Sequence, residues 1–113
     1  MNNGAQAEQW AAEYLRRQGM KPVAENYRGR FGEIDLIMRD GQTLVFVEVR
    51  LRRNANFGGA AASIDARKQR RIIRTAQQYL AGLANIPPCR FDVVLMGDMQ
   101  GENMQWLKNA FEA

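Results

Sequence analysis

Between Ala5 and Gln18 apolar side chains return every three or four residues, with Ala7, Trp10, Ala11, Tyr14 and Leu15 on one face. That period predicts an amphipathic helix, for which Gly19 is a natural C-cap. Lys21 to Tyr27 reads as a first strand, with Pro22 tolerable at its start. Two aliphatic runs follow, Glu33-Ile-Asp35-Leu-Ile37 and Val45-Phe-Val-Glu48-Val-Arg50, separated by Arg39-Asp40-Gly41-Gln42. Asp-Gly between apolar segments predicts a hairpin, because both central residues of a type I′ turn need positive φ. Arg50 to Gly59 is basic and then glycine-rich and reads as a loop, without the spacing of a Walker-type phosphate loop. Ser63 or Asp65 caps a second helix reaching about Gly82, with Ile64, Ile72, Ile73, Ala76, Tyr79, Leu80 and Leu83 as its core stripe. After Pro87-Pro88, Arg90 to Met96 predicts a buried strand. A helical crossover makes it parallel to the Glu48 strand. Gly97 to Gly101 reads as a loop, and Met104 to Phe111 docks on the core as either strand or helix.

The hairpin sets the position of two carboxylates that interrupt otherwise apolar strands. A turn centred on Asp40-Gly41 pairs Glu33 with Glu48, Asp35 with Phe46 and Ile37 with Leu44. Side chains alternate faces along a strand, so Glu33, Asp35, Phe46, Glu48 and Arg50 share one side. Ile34, Leu36, Val45, Val47 and Val49 share the other. Glu48 then lies diagonally across from Asp35, at roughly 7 Å between backbones. A one-residue slip would split the acids between faces. A buried carboxylate is costly unless hydrogen-bonded, paired or bound to a cation, and hard oxygen donors suit Mg²⁺ or Mn²⁺. The same spacing is also compatible with surface acids on a half-solvated sheet, one of them paired by Arg50.

Composition narrows the chemistry. The chain has 113 residues, no histidine and one cysteine, Cys89, which excludes a His/Cys zinc site and histidine-dependent nucleophilic catalysis within one subunit. The length suits one domain of order α-β-β-β-α-β. A lone cysteine, no apolar run long enough to cross a membrane and no signal-peptide character at the start lead to an expected cytoplasmic location. Net charge is +4, and the basic residues cluster. Arg28 and Arg30 flank Gly29, Arg52 and Arg53 follow the Glu48 strand, and Arg67, Lys68, Arg70, Arg71 and Arg74 crowd the start of the second helix. Such a cluster is usually a solvated face, but five cations within eight residues, with no acid between Asp65 and Asp92, tilt the reading towards phosphate contact and a nucleic-acid partner. Glu8, at the edge of the first helix's apolar stripe, reads locally as an acid favourably placed in a first turn.

Several motifs together resemble the PD-(D/E)xK nuclease superfamily and, within it, the YraN-like family, itself similar to archaeal Holliday-junction resolvases. They are Ala7-Glu8 with Tyr14-Leu15 and Gly19, Asn26-Tyr27-Arg28, Gly32-Glu-Ile-Asp-Leu-Ile37, and Val45-Phe-Val-Glu-Val-Arg50 with Arg52. Lys68 through Ala76 to Tyr79-Leu80, Cys89-Arg-Phe-Asp-Val-Val94 and Asn109-Ala-Phe111 complete the match, which covers nearly the whole chain. The resemblance implies an α/β, restriction-endonuclease-like core, a mixed central sheet flanked by helices, that hydrolyses DNA phosphodiesters with Mg²⁺ or Mn²⁺. By the same resemblance Asp35 and Glu48 bind the metal with the Val49 carbonyl as a further ligand, Glu8 is an additional acid, and Glu33 supports the pair from outside. A homodimer on branched DNA is implied by analogy, although Trp10, Trp106 and Phe111 read as core residues rather than contacts. One position departs from the pattern: Arg50 stands where the motif has lysine. Arginine stays protonated and clamps phosphate, whereas lysine can exchange a proton with water. The departure is compatible with a nuclease in which Lys68 supplies the ammonium, and with a non-catalytic module that binds nucleic acid or protein.

Overall fold

The computed structural model describes residues 3–51, 64–97 and 104–113. Its elements are α1 (Asn3–Arg17), β1 (Lys21–Arg28), β2 (Glu33–Asp40), β3 (Thr43–Leu51), α2 (Ala66–Ala81), β4 (Cys89–Met96) and β5 (Met104–Phe111). The expected loop residues Arg52, Arg53 and Gly59, the alternative cap Ser63, and most of the loop expected after Gly97 lie outside the described residues. Asp65 is the α2 cap: its side chain accepts a 2.8 Å hydrogen bond from the Lys68 N–H, satisfying a donor that a helix start leaves open.

The five strands form one mixed sheet in sequential order. β1–β2, β2–β3 and β4–β5 pair antiparallel, while β3 and β4 are parallel across the α2 crossover. Apolar stripes cover both faces. Ala7, Ala11 and Leu15 of α1 pack on Leu36, Met38, Val45, Val47, Val94 and Met96. On the opposite side Ile64, Ile72 and Ala76 meet Ile37, Leu44, Phe46, Phe91 and Val93. Phe46 stacks on Phe91 at 5.5 Å and Phe91 on Phe111 at 5.0 Å, carrying this core to the edge strand. Trp10 and Trp106 pack against the α1-side core, as expected of core residues. Among the described residues no helix is long and apolar enough to cross a membrane.

Three expectations are corrected. Met104–Phe111 is a strand, so the order ends β-β rather than in a single strand. Its tie is a buried carboxylate. Asp92 is fully buried and accepts from Trp106 Nε1 at 2.9 Å, the Asn109 N–H at 2.9 Å and Arg90 Nε at 3.0 Å. Arg90 also bonds Asp40 at 2.8 Å, tying the hairpin turn to the same network.

The hairpin register differs by two residues. Asp40 pairs with Thr43 and Ile37 with Phe46, so the turn is Gly41-Gln42 rather than Asp40-Gly41. Gly41 has φ +61° and Gln42 does not share it, the pattern of a turn with glycine first rather than second. A shift by two preserves faces, so β3 keeps the expected sides.

The third correction concerns Ile34. It packs with Ile37 on the α2 side, not with Leu36 on the α1 side. The alternation of β2 therefore slips at Asp35. Across from it in β1, Asn26 has φ +50°, a left-handed conformation that asparagine tolerates, and it breaks the alternation there too.

Candidate functional site

The break in β2 gathers the acids. Small residues on α1 let it lie close to the sheet, and Glu8, next to buried Ala7, reaches the strand end. One carboxylate oxygen each from Glu8, Glu33 and Asp35 lie within 4.8 Å of one another, all half-buried. Burial, then the Asp35 charge and its hydrogen bond, raise the Glu8 carboxyl to about 7, with Glu33 adding to the effect and an Asn26 hydrogen bond opposing it.

Glu48 continues this cluster towards α2. The β2–β3 ladder runs to Leu36 opposite Val47, and beyond it the Asp35 carboxylate accepts the Val49 N–H at 2.9 Å. That bond fixes Asp35 beside Glu48, which is 5 % exposed. Burial, the Asp35 charge and a hydrogen bond with Asp35 push Glu48 up to about 8, against the pull of Lys68 and Arg50. Lys68 Nζ lies 3.6 Å and Arg50 Nε 3.3 Å from the same Glu48 oxygen. The Arg50 contact is a charge contact only, since its buried Nε makes no hydrogen bond.

Glu8, Asp35 and Glu48, expected together, are thus neighbours, joined by Glu33. Glu8 and Glu48 are pushed towards the protonated form by burial first and by the neighbouring Asp35 charge second, in spite of Lys68 and Arg50 beside Glu48. An all-oxygen, half-buried donor set of this kind fits Mg²⁺ or Mn²⁺, whose charge would replace those protons.

The expected basic residues divide between two roles. Arg28 pairs with Glu33 at 3.1 Å, so it belongs to the acid cluster's rim. Arg30 is exposed, and Lys68 faces Glu48. Arg67, Arg70, Arg71 and Arg74, together with Phe31, line an open cleft of about 290 Å³. The turn carrying Phe31 is held down on α2. Gly29 N–H bonds Gly32 O at 2.8 Å, and Arg30 N–H bonds Gln78 Oε1 at 2.8 Å. Gly29 approaches so closely that a Cβ there would clash with Gln78 Oε1. Arg52 and Arg53 lie outside the described residues.

Apolar periodicity does not single out Asn26, Asp92 or Phe31. Asn26 and Asp92 stand inside the motifs quoted above, and polar residues within strand runs were the available signal. Phe31 is marked only by the Arg-Gly-Arg segment before it.

Residues 7–96, from α1 through β4, match the uncharacterised protein family UPF0102. The chain belongs to that family. A UPF0102 protein of Nitrosomonas europaea is 55 % identical over 111 residues, covering 98 % of this chain and 94 % of that protein. Another from Cupriavidus taiwanensis is 58 % identical over 112 residues, 97 % of this chain and 82 % of the relative. One from Psychromonas ingrahamii is 50 % identical over 111 residues, 98 % and 90 % respectively. The YraN-like resemblance holds at this level, and the matched segment contains the four acids, Lys68 and the arginine cleft.

Proposed function

We propose that this UPF0102 protein is a Mg²⁺- or Mn²⁺-dependent nuclease that hydrolyses DNA phosphodiesters. The observation that carries this reading is the convergence of Glu8, Glu33 and Asp35, with Glu48 hydrogen-bonded to Asp35, beside Lys68 and an arginine-lined cleft. A mixed sheet with helices on both faces, in the order α-β-β-β-α-β-β, supports a restriction-endonuclease-like core. Fold alone is a weak warrant for chemistry, so the site carries the argument.

Asp35 and Glu48 hold the ion, with Glu8 as a further acid and the Val49 carbonyl as the remaining ligand from the chain. The ion, when bound, lowers the pKa of water and neutralises charge on the phosphate. The Val49 N–H orients Asp35, and Arg50 steadies Glu48 from the same strand. Lys68, whose ammonium lies 3.6 Å from Glu48, takes the part of the motif's lysine and donates to the phosphate or exchanges a proton with the attacking water. The cleft arginines bind the neighbouring backbone. Branched DNA and a homodimer acting on it complete the proposal by resemblance to junction resolvases.

The test is cleavage of linear, single-stranded and four-way-junction DNA in Mn²⁺ or Mg²⁺, beside Asp35→Ala and Glu48→Ala. Cutting by the parent that both variants lose supports the nuclease. Absence of cutting with salt-sensitive binding retained makes the protein a binding module, for which the Arg50 departure is the specific observation.

A further inference from the structure

Phe31 is an exposed aromatic in an unusual setting. Its relative exposure is 46 %, and among the described residues only Val23 and Ile86 are comparably large and exposed apolar side chains. Four arginines surround it, and the Arg74 guanidinium carbon lies 5.6 Å from the ring centroid. No carboxylate among the described residues lies within ion-pair distance of Arg67, Arg70, Arg71 or Arg74. Four uncompensated like charges on one helix face repel one another, which is tolerable when the surface serves an anion.

The turn is also built to hold the ring in place. Gly29 and Gly32 close it, and Gln78 clamps its backbone. An aromatic that served only the core would turn inward, where Tyr27 and Tyr79 already meet at 5.2 Å. Held outward among guanidinium groups, it offers a flat apolar surface to a ligand that is itself flat and linked to phosphates.

We infer that Phe31 is a stacking platform for an unpaired DNA base, with Arg67, Arg70, Arg71 and Arg74 holding the phosphates on either side of it. Bases inside an intact duplex have their faces covered by neighbours, so a ring among phosphate contacts stacks at least cost on a base from a single strand, a branch point or a flipped nucleotide. The cleft volume lies near the lower end of ligand pockets, about 300 Å³, and its open mouth lets a strand continue through. Two residues after Phe31 the chain reaches Glu33, so the stacked nucleotide lies next to the acid cluster. The inference rests on the DNA reading above and deepens it: the substrate carries unpaired nucleotides.

The test is binding in EDTA, where cleavage plays no part. Fluorescence anisotropy is recorded with a single-stranded oligonucleotide and a blunt duplex of equal length, for the parent, Phe31→Ala, Phe31→Trp and Arg70→Gln/Arg71→Gln. Phe31→Ala is expected to weaken single-strand affinity about 5- to 150-fold, the effect of losing one stack, and to leave duplex affinity within about twofold. Phe31→Trp keeps the preference. The double arginine variant weakens both DNAs and lowers the salt dependence. Equal loss on both DNAs in Phe31→Ala, or no loss on either, overturns the platform. Absence of salt-sensitive DNA binding by the parent also overturns it and points to an acidic protein partner. A parent that binds single strands through Phe31 but never cuts retains this inference and loses the nuclease. Cutting indifferent to Phe31→Ala does the reverse.

Discussion

The Lys68 ammonium lies 3.6 Å from the Glu48 carboxylate, although one belongs to α2 and the other to β3. The Asp65 cap sets the start of α2 and so turns Lys68 towards the sheet, with Ile72 and Ala76 buried beneath. A cation from outside the Glu48-Val49-Arg50 segment therefore reaches the Glu48 carboxylate.

Lys68→Ala is expected to lower cleavage about 10²- to 10⁴-fold, the usual span for a lost proton donor or acceptor. DNA affinity in EDTA should change by less than about threefold, because the four cleft arginines remain. Single-turnover cleavage and anisotropy on the same preparation read the two effects. Equal loss in both measurements would reduce Lys68 to a phosphate contact.

Metal-free stability should fall as pH rises. Glu48 has an ordinary value of 4.5, and burial beside Asp35 lifts it to about 8 in the folded chain. Between these values the folded chain holds a proton that the unfolded chain has released. Unfolding free energy then declines by at most about 1.4 kcal/mol per pH unit for one such group. The contribution is fully present below the unfolded value and is lost as pH climbs through the folded one. Glu8, raised to about 7 but only half-buried, adds a smaller slope of the same sign. Urea unfolding in EDTA from pH 5 to 8.5 should show the decline, and Glu48→Gln should flatten it.

Divalent-metal binding should carry the opposite pH dependence. A cation must displace the protons that Glu8 and Glu48 each hold beside Asp35, so affinity for Mn²⁺ rises from pH 6 to 8 and binding releases protons. Isothermal titration in buffers of different ionisation enthalpy measures that release. Asp35→Asn should remove the binding, whereas a variant that binds Mn²⁺ unchanged would exclude Asp35 as a ligand.

Asp92→Ala should cost about 1–3 kcal/mol in chemical denaturation for each donor left without its acceptor, Trp106 Nε1 and the Asn109 N–H, while the half-buried Arg90 keeps Asp40. Trp106→Phe removes one hydrogen bond to the same carboxylate and should cost about 1–3 kcal/mol. Backbone amide exchange should quicken first in β5. Uniform loosening of the whole sheet would show that Asp92 does not act by holding that strand.

Gly29→Ala pushes a methyl against the end of a flexible side chain rather than backbone. The expected cost is the Arg30–Gln78 hydrogen bond, about 1 kcal/mol. Gln78→Ala in the same chain should relieve the clash without restoring the bond. Thermal unfolding of the two single variants and the double variant reads the coupling.

Local pattern was enough for α1, the hairpin strands, α2 and the parallel β4, because each has an apolar period that only one element satisfies. The acids at Asp35 and Glu48 were legible for the same reason, as interruptions of that period. The turn was less so: Asp40-Gly41 and Gly41-Gln42 both close a two-residue loop. Pairing of the whole hairpin, with Arg90 bonded to Asp40, decides between them. Ile34 could not be assigned to its face by alternation, since the slip at Asp35 has no period of its own.

The amino-acid pattern alone settles α1, α2 and β1 to β4, a basic chain, and the lack of side chains for a His/Cys zinc site or histidine catalysis within one subunit. These follow from side-chain type and local spacing. Only the tertiary structure decided that β5 is a strand held by Asp92, that Glu8 meets Glu33 and Asp35, that Lys68 reaches Glu48, and that Phe31 stands among four arginines. Each of these joins residues on different elements, where distance depends on how the helices lie on the sheet and where the alternation breaks. No spacing along the chain encodes that.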